Sequence, residues 1–145
     1  MTNEKNQSTR VTTLKVVAPF AVYLPRKTVK DKRVPINQNW YRNAQHFESN
    51  AVKKQYLGDV RSQLEGVELK TPFKVTYKVY KPTRRRLDKM NVIAISSKFL
   101  LDAMSTLNVI PDDNDDYVKN ELILPTEHDK GNERVVVWFE TVKEE

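Results

Sequence analysis

Between Phe73 and Leu107 the spacing of apolar residues changes from two to nearly four, which dictates a strand joined to a helix by a short basic turn. Phe73 to Tyr80 (FKVTYKVY) alternates polar residues with large apolar ones and reads as a strand with one wet, basic face. Pro82 ends it, Arg84, Arg85 and Arg86 follow, and a helix runs from about Asp88 to Leu107. On a helical wheel Val92, Ile95, Phe99, Leu100, Ala103, Met104 and Leu107 cover a broad apolar face. Asp88, Asn91, Lys98 and Asp102 fall within an arc of about 80° along one edge of that face. Charges on a purely solvated face scatter more widely, although Lys98 and Asp102 also have the spacing of a simple i,i+4 ion pair.

The rest of the chain supplies elements to pack on this unit. Residues 1–10 are polar and read as a disordered tail, leaving 11–145 as one domain. Val11 to Leu24 is β-branched and aromatic, a strand broken near Pro19. Residues 26–39 (RKTVKDKRVPINQN) have no clear period and read as a long basic loop. Ser49 is placed to cap a helix reaching Leu64, with Val52, Tyr56, Val60 and Leu64 on one stripe and Gly66 ending it. Tyr117–Leu124 and Glu133–Val142 read as two strands of a hairpin around PTEHDKGN. The order β-α-β-α-β-β predicts an α+β domain with two helices packed on one mixed or antiparallel sheet.

Charge is divided between the two parts of the chain. Residues 1–86 carry 19 Lys+Arg against 6 Asp+Glu, and residues 87–145 carry 6 against 13, so +13 faces −7. Such asymmetry suits a polyanion met by one surface and a cation held by another. No apolar run approaches the ~20 residues of a membrane span, and the polar start has no secretory signal. The absence of cysteine excludes disulfides and thiolate metal sites, and His46 and His128 alone make a poor zinc ligand set. An intracellular, cytoplasmic location is the expectation.

Two further clusters carry chemistry. Asp112, Asp113, Asn114, Asp115 and Asp116 form a dense acidic turn. It is no EF-hand, because from Asp112 the sixth position is Tyr117 and the twelfth Ile123. Mg²⁺ takes oxygen ligands from separate elements, which Asp88 and Asp113 would supply. The basic cluster is Arg84 to Arg86 with Lys27, Lys30, Lys32 and Arg33 of the loop, groups suited to phosphate. Trp40 and Tyr41 beside Arg42 suit either base stacking or core packing.

Taken together, the arginine run, Asp88, Asn91, Lys98-Phe-Leu-Leu-Asp102-Ala and the later Asp112-Asp113 resemble the RusA family of Holliday-junction resolvases. The specific motif is confined to residues 81–116, while the order of elements is similar over most of the chain. The resemblance implies a homodimeric, Mg²⁺-dependent (Mn²⁺ as substitute) endonuclease of phage or prophage origin that nicks four-way DNA in the bacterial cytoplasm. Residue by residue it implies that Asp88 and Asp113 hold the metal, Lys98 acts in the helix, and Asn91 matches the family asparagine. Two departures stand out. The second aspartate of the family's pair falls at Met90 (or Asp88 is that second member, with Arg86 at the first), and the stretch from Asn91 to Lys98 is about one helical turn longer. Asp102 or Asp112 would then replace the missing ligand. The alternatives are a non-catalytic junction-binding protein of the same fold, and a charge-asymmetric adaptor for a protein partner.

Overall fold

Three strands with alternating or continuous apolar residues form the centre of the protein. The computed structural model describes residues 8–143. Phe73, Val75, Tyr77 and Val79 alternate inward along the strand Phe73–Lys81, and the strand Arg134–Thr141 buries Val135, Val136, Val137 and Phe139. In chain order the strands are β1 (Thr9–Val11), β2 (Thr13–Pro19), β3 (Ala21–Leu24), β4 (Lys32–Pro35), β5 (Val67–Leu69), β6 (Phe73–Lys81), β7 (Val118–Ile123), β8 (Glu127–His128) and β9 (Arg134–Thr141). The helices are α1 (Gln38–Asn43), α2 (His46–Leu64) and α3 (Lys89–Thr106). The main sheet runs β2-β9-β6-β7, with β8 also on β6, and two-stranded sheets form from β1-β5 and β3-β4. β9 is antiparallel to β2 and β6, whereas β7 is parallel to β6, so the fold is α+β with a mixed sheet.

β6, α3 and β7 form a strand–helix–strand crossover, the connection that parallel neighbours require. α2 buries Val52, Tyr56, Val60 and Leu64, the stripe its sequence spacing dictates. α3 buries Val92, Ile93, Ile95, Ser96, Phe99, Leu100, Leu101, Ala103 and Met104, and both helices share one core with the strands. Phe99 is the junction of the aromatic packing, edge-on to Trp40, Tyr41 and Tyr56 at centroid distances of 6.2, 5.9 and 5.7 Å.

Several expectations are corrected. The first seven residues lie outside the described ones, but Thr9–Val11, assigned in part to the tail, is a strand parallel to β5. The long basic loop contains β4 and the start of α1. Val34 and Ile36 alternate into the core, and the Asn37 side chain caps α1 by accepting from Trp40 N at 2.9 Å. α2 begins at His46 rather than after Ser49, whose hydroxyl donates to His46 O at 3.0 Å within the first turn. Glu48 anchors that turn, hydrogen-bonding Lys32 Nζ and accepting from Trp40 Nε1 at 3.2 Å. Those two bonds hold the Glu48 carboxyl below its usual range, Lys32 more than Trp40.

β7 and β9 do not form a hairpin, because they lie on opposite sides of β6. The physical reason is burial. β9 is apolar on consecutive residues and takes an interior position, whereas β7 (VKNELI) is polar and takes the edge. Gly131, at φ 77°, makes the turn that leads into β9, and Arg134 braces it through Asp129 at 2.8 Å.

Candidate functional site

The turn before α3 fixes the basic end of the site. Arg84, Arg85 and Arg86 are exposed and make no ion pair among the described residues, while Lys81 Nζ donates to Arg85 O at 2.9 Å and shapes the turn. Asp88 is the N-cap of α3: its Oδ1 accepts from Met90 N at 3.1 Å, which also places its charge at the positive end of the helix. Asn91 Oδ1 accepts from Gln38 N at 2.8 Å, so its oxygen braces the first residue of α1 instead of being presented to a ligand. Met90 is 52% exposed beside the arginine turn.

The far end of α3 is built by a glycine-free helix stop. Asn108 takes φ 60°, Asn108 N donates to Ser105 O at 3.1 Å, and Val109 N donates to Met104 O at 2.8 Å, the two bonds of a Schellman motif. Buried Val109 and Ile110 then lead the chain into the acidic turn. Asp112 Oδ1 accepts from Asp113 N at 2.8 Å and Oδ2 accepts from Asn114 Nδ2 at 3.2 Å. The backbone bond, then the Asp113 side chain, hold the Asp112 carboxyl below its usual range. Asp113 is pushed up by partial burial first, then by its hydrogen bond with Asp112, with the negative charges of Asp102 and Asp112 adding to the shift. Asp102, Asp112 and Asp113 therefore form one acidic corner.

Asp88 is not part of that corner. At about 1.5 Å of rise per residue, Asp88 and Asp102 lie about 21 Å apart along α3, so one ion cannot take both. Among the described residues no three His, Cys, Asp or Glu side chains converge closely enough to hold a metal. Mg²⁺ is nevertheless commonly held by one or two carboxylates, with waters and phosphate oxygens completing the shell. The hydrogen-bonded Asp112–Asp113 pair, whose repulsion a divalent cation relieves, fits that donor set. A site shared by Asp88 and Asp102 does not.

Between the two ends runs a ridge of residues four apart: Met90, Ala94, Lys98 and Asp102. Lys98 is exposed and has no ion-pair partner among the described residues. The expected Lys98–Asp102 pair is absent. Asp102 instead lies 3.8 Å from Lys53 Nζ on α2, a residue that sequence spacing gave no reason to select. Lys53 also sits over the Phe99 ring at 5.7 Å.

The remaining basic candidates divide into two groups. Lys27, Lys30 and Arg42 are exposed and have no ion-pair partner among the described residues. Lys32 is bonded to Glu48 and Arg33 lies 3.7 Å from Glu133, which ties both to the protein surface. Trp40 and Tyr41 pack against Phe99, so of their two sequence readings the packing one holds. His46 contacts Asn50 at 3.1 Å within α2, and His128 lies in β8, so neither reaches the acidic corner.

Compared with known protein families and with curated proteins, the chain matches none. No helix among the described residues is long and apolar enough to cross a membrane.

Proposed function

We propose that the protein is a RusA-like, Mg²⁺-dependent endonuclease that nicks four-way and other branched DNA in recombination and repair, acting as a homodimer in the cytoplasm of a phage-bearing bacterium. One observation carries this reading: unpaired cations and the acidic corner share a single edge of α3. Arg84 to Arg86 begin it, Lys98 lies midway, and Asp102, Asp112 and Asp113 close it. From Arg86 to Asp102 the edge measures about 24 Å, about seven base-pair steps at 3.4 Å each. A nucleic-acid strand laid along it meets guanidinium groups for its phosphates first and carboxylates at its far end.

The chain's own groups have separable tasks. The arginines fix the strand by bidentate contacts to phosphate oxygens, which sets position without reading sequence. Lys98 offsets negative charge on a phosphate lying over the ridge. Asp113 and Asp112, with Asp102 beside them, are the residues that would hold Mg²⁺. A bound ion there supplies an activated water and neutralises charge at the scissile phosphate. The second reading is a junction-binding protein without activity. Met90, at a position where the family pattern has a carboxylate, favours it.

Binding tests the shared part of both readings. Affinity for a four-way junction should fall steeply with salt, with a log–log slope of at least about −3. Replacing Arg84, Arg85 and Arg86 together with Ala should flatten that slope by about 2, since neutralising Z phosphates contributes near −0.9Z. Fluorescence-anisotropy titrations across a salt series give both values. A slope that is the same in the triple variant removes the arginine turn from the DNA surface.

A further inference from the structure

The β3–β4 hairpin stands apart from the main sheet as its own two-stranded sheet, pairing Tyr23 with Arg33 and Leu24 with Lys32. Its base is rooted three ways. Val22 and Val34 are buried, Lys32 is bonded to Glu48 of α2, and Arg33 lies 3.7 Å from Glu133 just before β9. Its tip is not rooted. Every residue from Pro25 to Asp31 is exposed, and Arg26 Nε closes the loop by donating to Lys30 O at 2.8 Å.

Two apolar side chains are left outside on this arm: Tyr23 is 50% exposed and Val29 at the tip is 59% exposed. Single exposed apolar residues are ordinary on a surface. Here they share a protruding ribbon with Arg26, Lys27 and Lys30, whose only acidic neighbour in the tip is Asp31. A two-stranded ribbon is of a size to enter a DNA groove, aromatic rings stack on bases that have lost a neighbour, and apolar side chains wedge between base steps. The base anchors explain why Lys32 and Arg33 are unavailable for phosphate: they aim the arm.

We infer that the β3–β4 arm recognises the branch point of the DNA, with Tyr23 stacking on an unstacked base, Val29 wedged beside it, and Arg26, Lys27 and Lys30 on the flanking phosphates. This rests on the reading that the protein binds branched DNA, and it names the element that gives selectivity for the branch.

The experiment compares affinity for a four-way junction with affinity for a linear duplex of the same arm sequence. Stacking is worth ~1–3 kcal/mol per base, so Tyr23→Ala should weaken junction binding about tenfold or more. Duplex affinity should stay within about twofold, and the salt slope should not change, because no charge is lost. Tyr23→Phe, which keeps the ring, should retain the wild-type preference and so separates stacking from a folding defect. An unchanged junction-to-duplex ratio in Tyr23→Ala, or an equal loss for both DNAs, overturns the inference while leaving the binding reading intact. A wild-type protein with no preference for the junction overturns both.

Discussion

Asp113→Asn should reduce junction cleavage on the order of 100-fold or more, while binding in the absence of metal stays the same or tightens. The substitution keeps the shape of the side chain and removes the charge that a cation needs. Asp113 is singled out within the acidic turn because its carboxyl is pushed up by burial, by Asp112 and by the charge of Asp102. A group in that situation gains most from a divalent ion. Asp115 belongs to the same run but is exposed and takes no part in the Asp112–Asp113 bonding. Asp115→Asn should therefore leave cleavage close to wild type. Single-turnover cleavage of a labelled junction by the two variants, beside anisotropy without metal, separates loss of chemistry from loss of binding. Equal and small effects of both substitutions would make the acidic corner a solvated turn.

The largest stability loss is expected at Phe99. Its ring is 2% exposed and meets three aromatic rings edge-on, so Phe99→Ala removes both buried area and those contacts. Truncating a buried Phe costs about 3–5 kcal/mol, which for a chain of this length lowers Tm by about 6–20 °C. Trp40 and Tyr41 lean on this ring, and Asn37 and Asn91 hold the helix that carries them, so the segment joining β4 to α2 should lose order first. Thermal unfolding followed by circular dichroism checks the shift. A Tm within a degree or two of wild type would mean that the aromatic cluster repacks around the gap.

Where the sequence was legible, one strong period decided the structure. α3 and the inward stripe of α2 follow directly from apolar spacing, and β6 follows from alternation over Phe73 to Tyr80. The failures were non-local. Nothing local in VKNELI distinguishes the edge strand β7 from one arm of a hairpin, because its parallel partner lies across α3. β4 was missed although Val34 and Ile36 alternate inward, since two apolar residues among lysines and prolines make a weak period. At the site, Lys98, Asp102, Asp112 and Asp113 were found from type and spacing. The helix length that separates Asp88 from the acidic corner was implicit in the same reading and was not used. Lys53 had no sequence signal, because only folding brings α2 beside Asp102.

The most direct measurement is cleavage of an end-labelled four-way junction beside a linear duplex of matched sequence, with Mg²⁺, Mn²⁺ or Ca²⁺ and with chelator. The account predicts nicking near the branch with Mg²⁺ or Mn²⁺, little with Ca²⁺, none with chelator, and no cutting of the duplex. Junction binding without cutting under every metal would contradict the nuclease and leave the binding protein. Absence of junction binding at moderate salt would contradict the account as a whole.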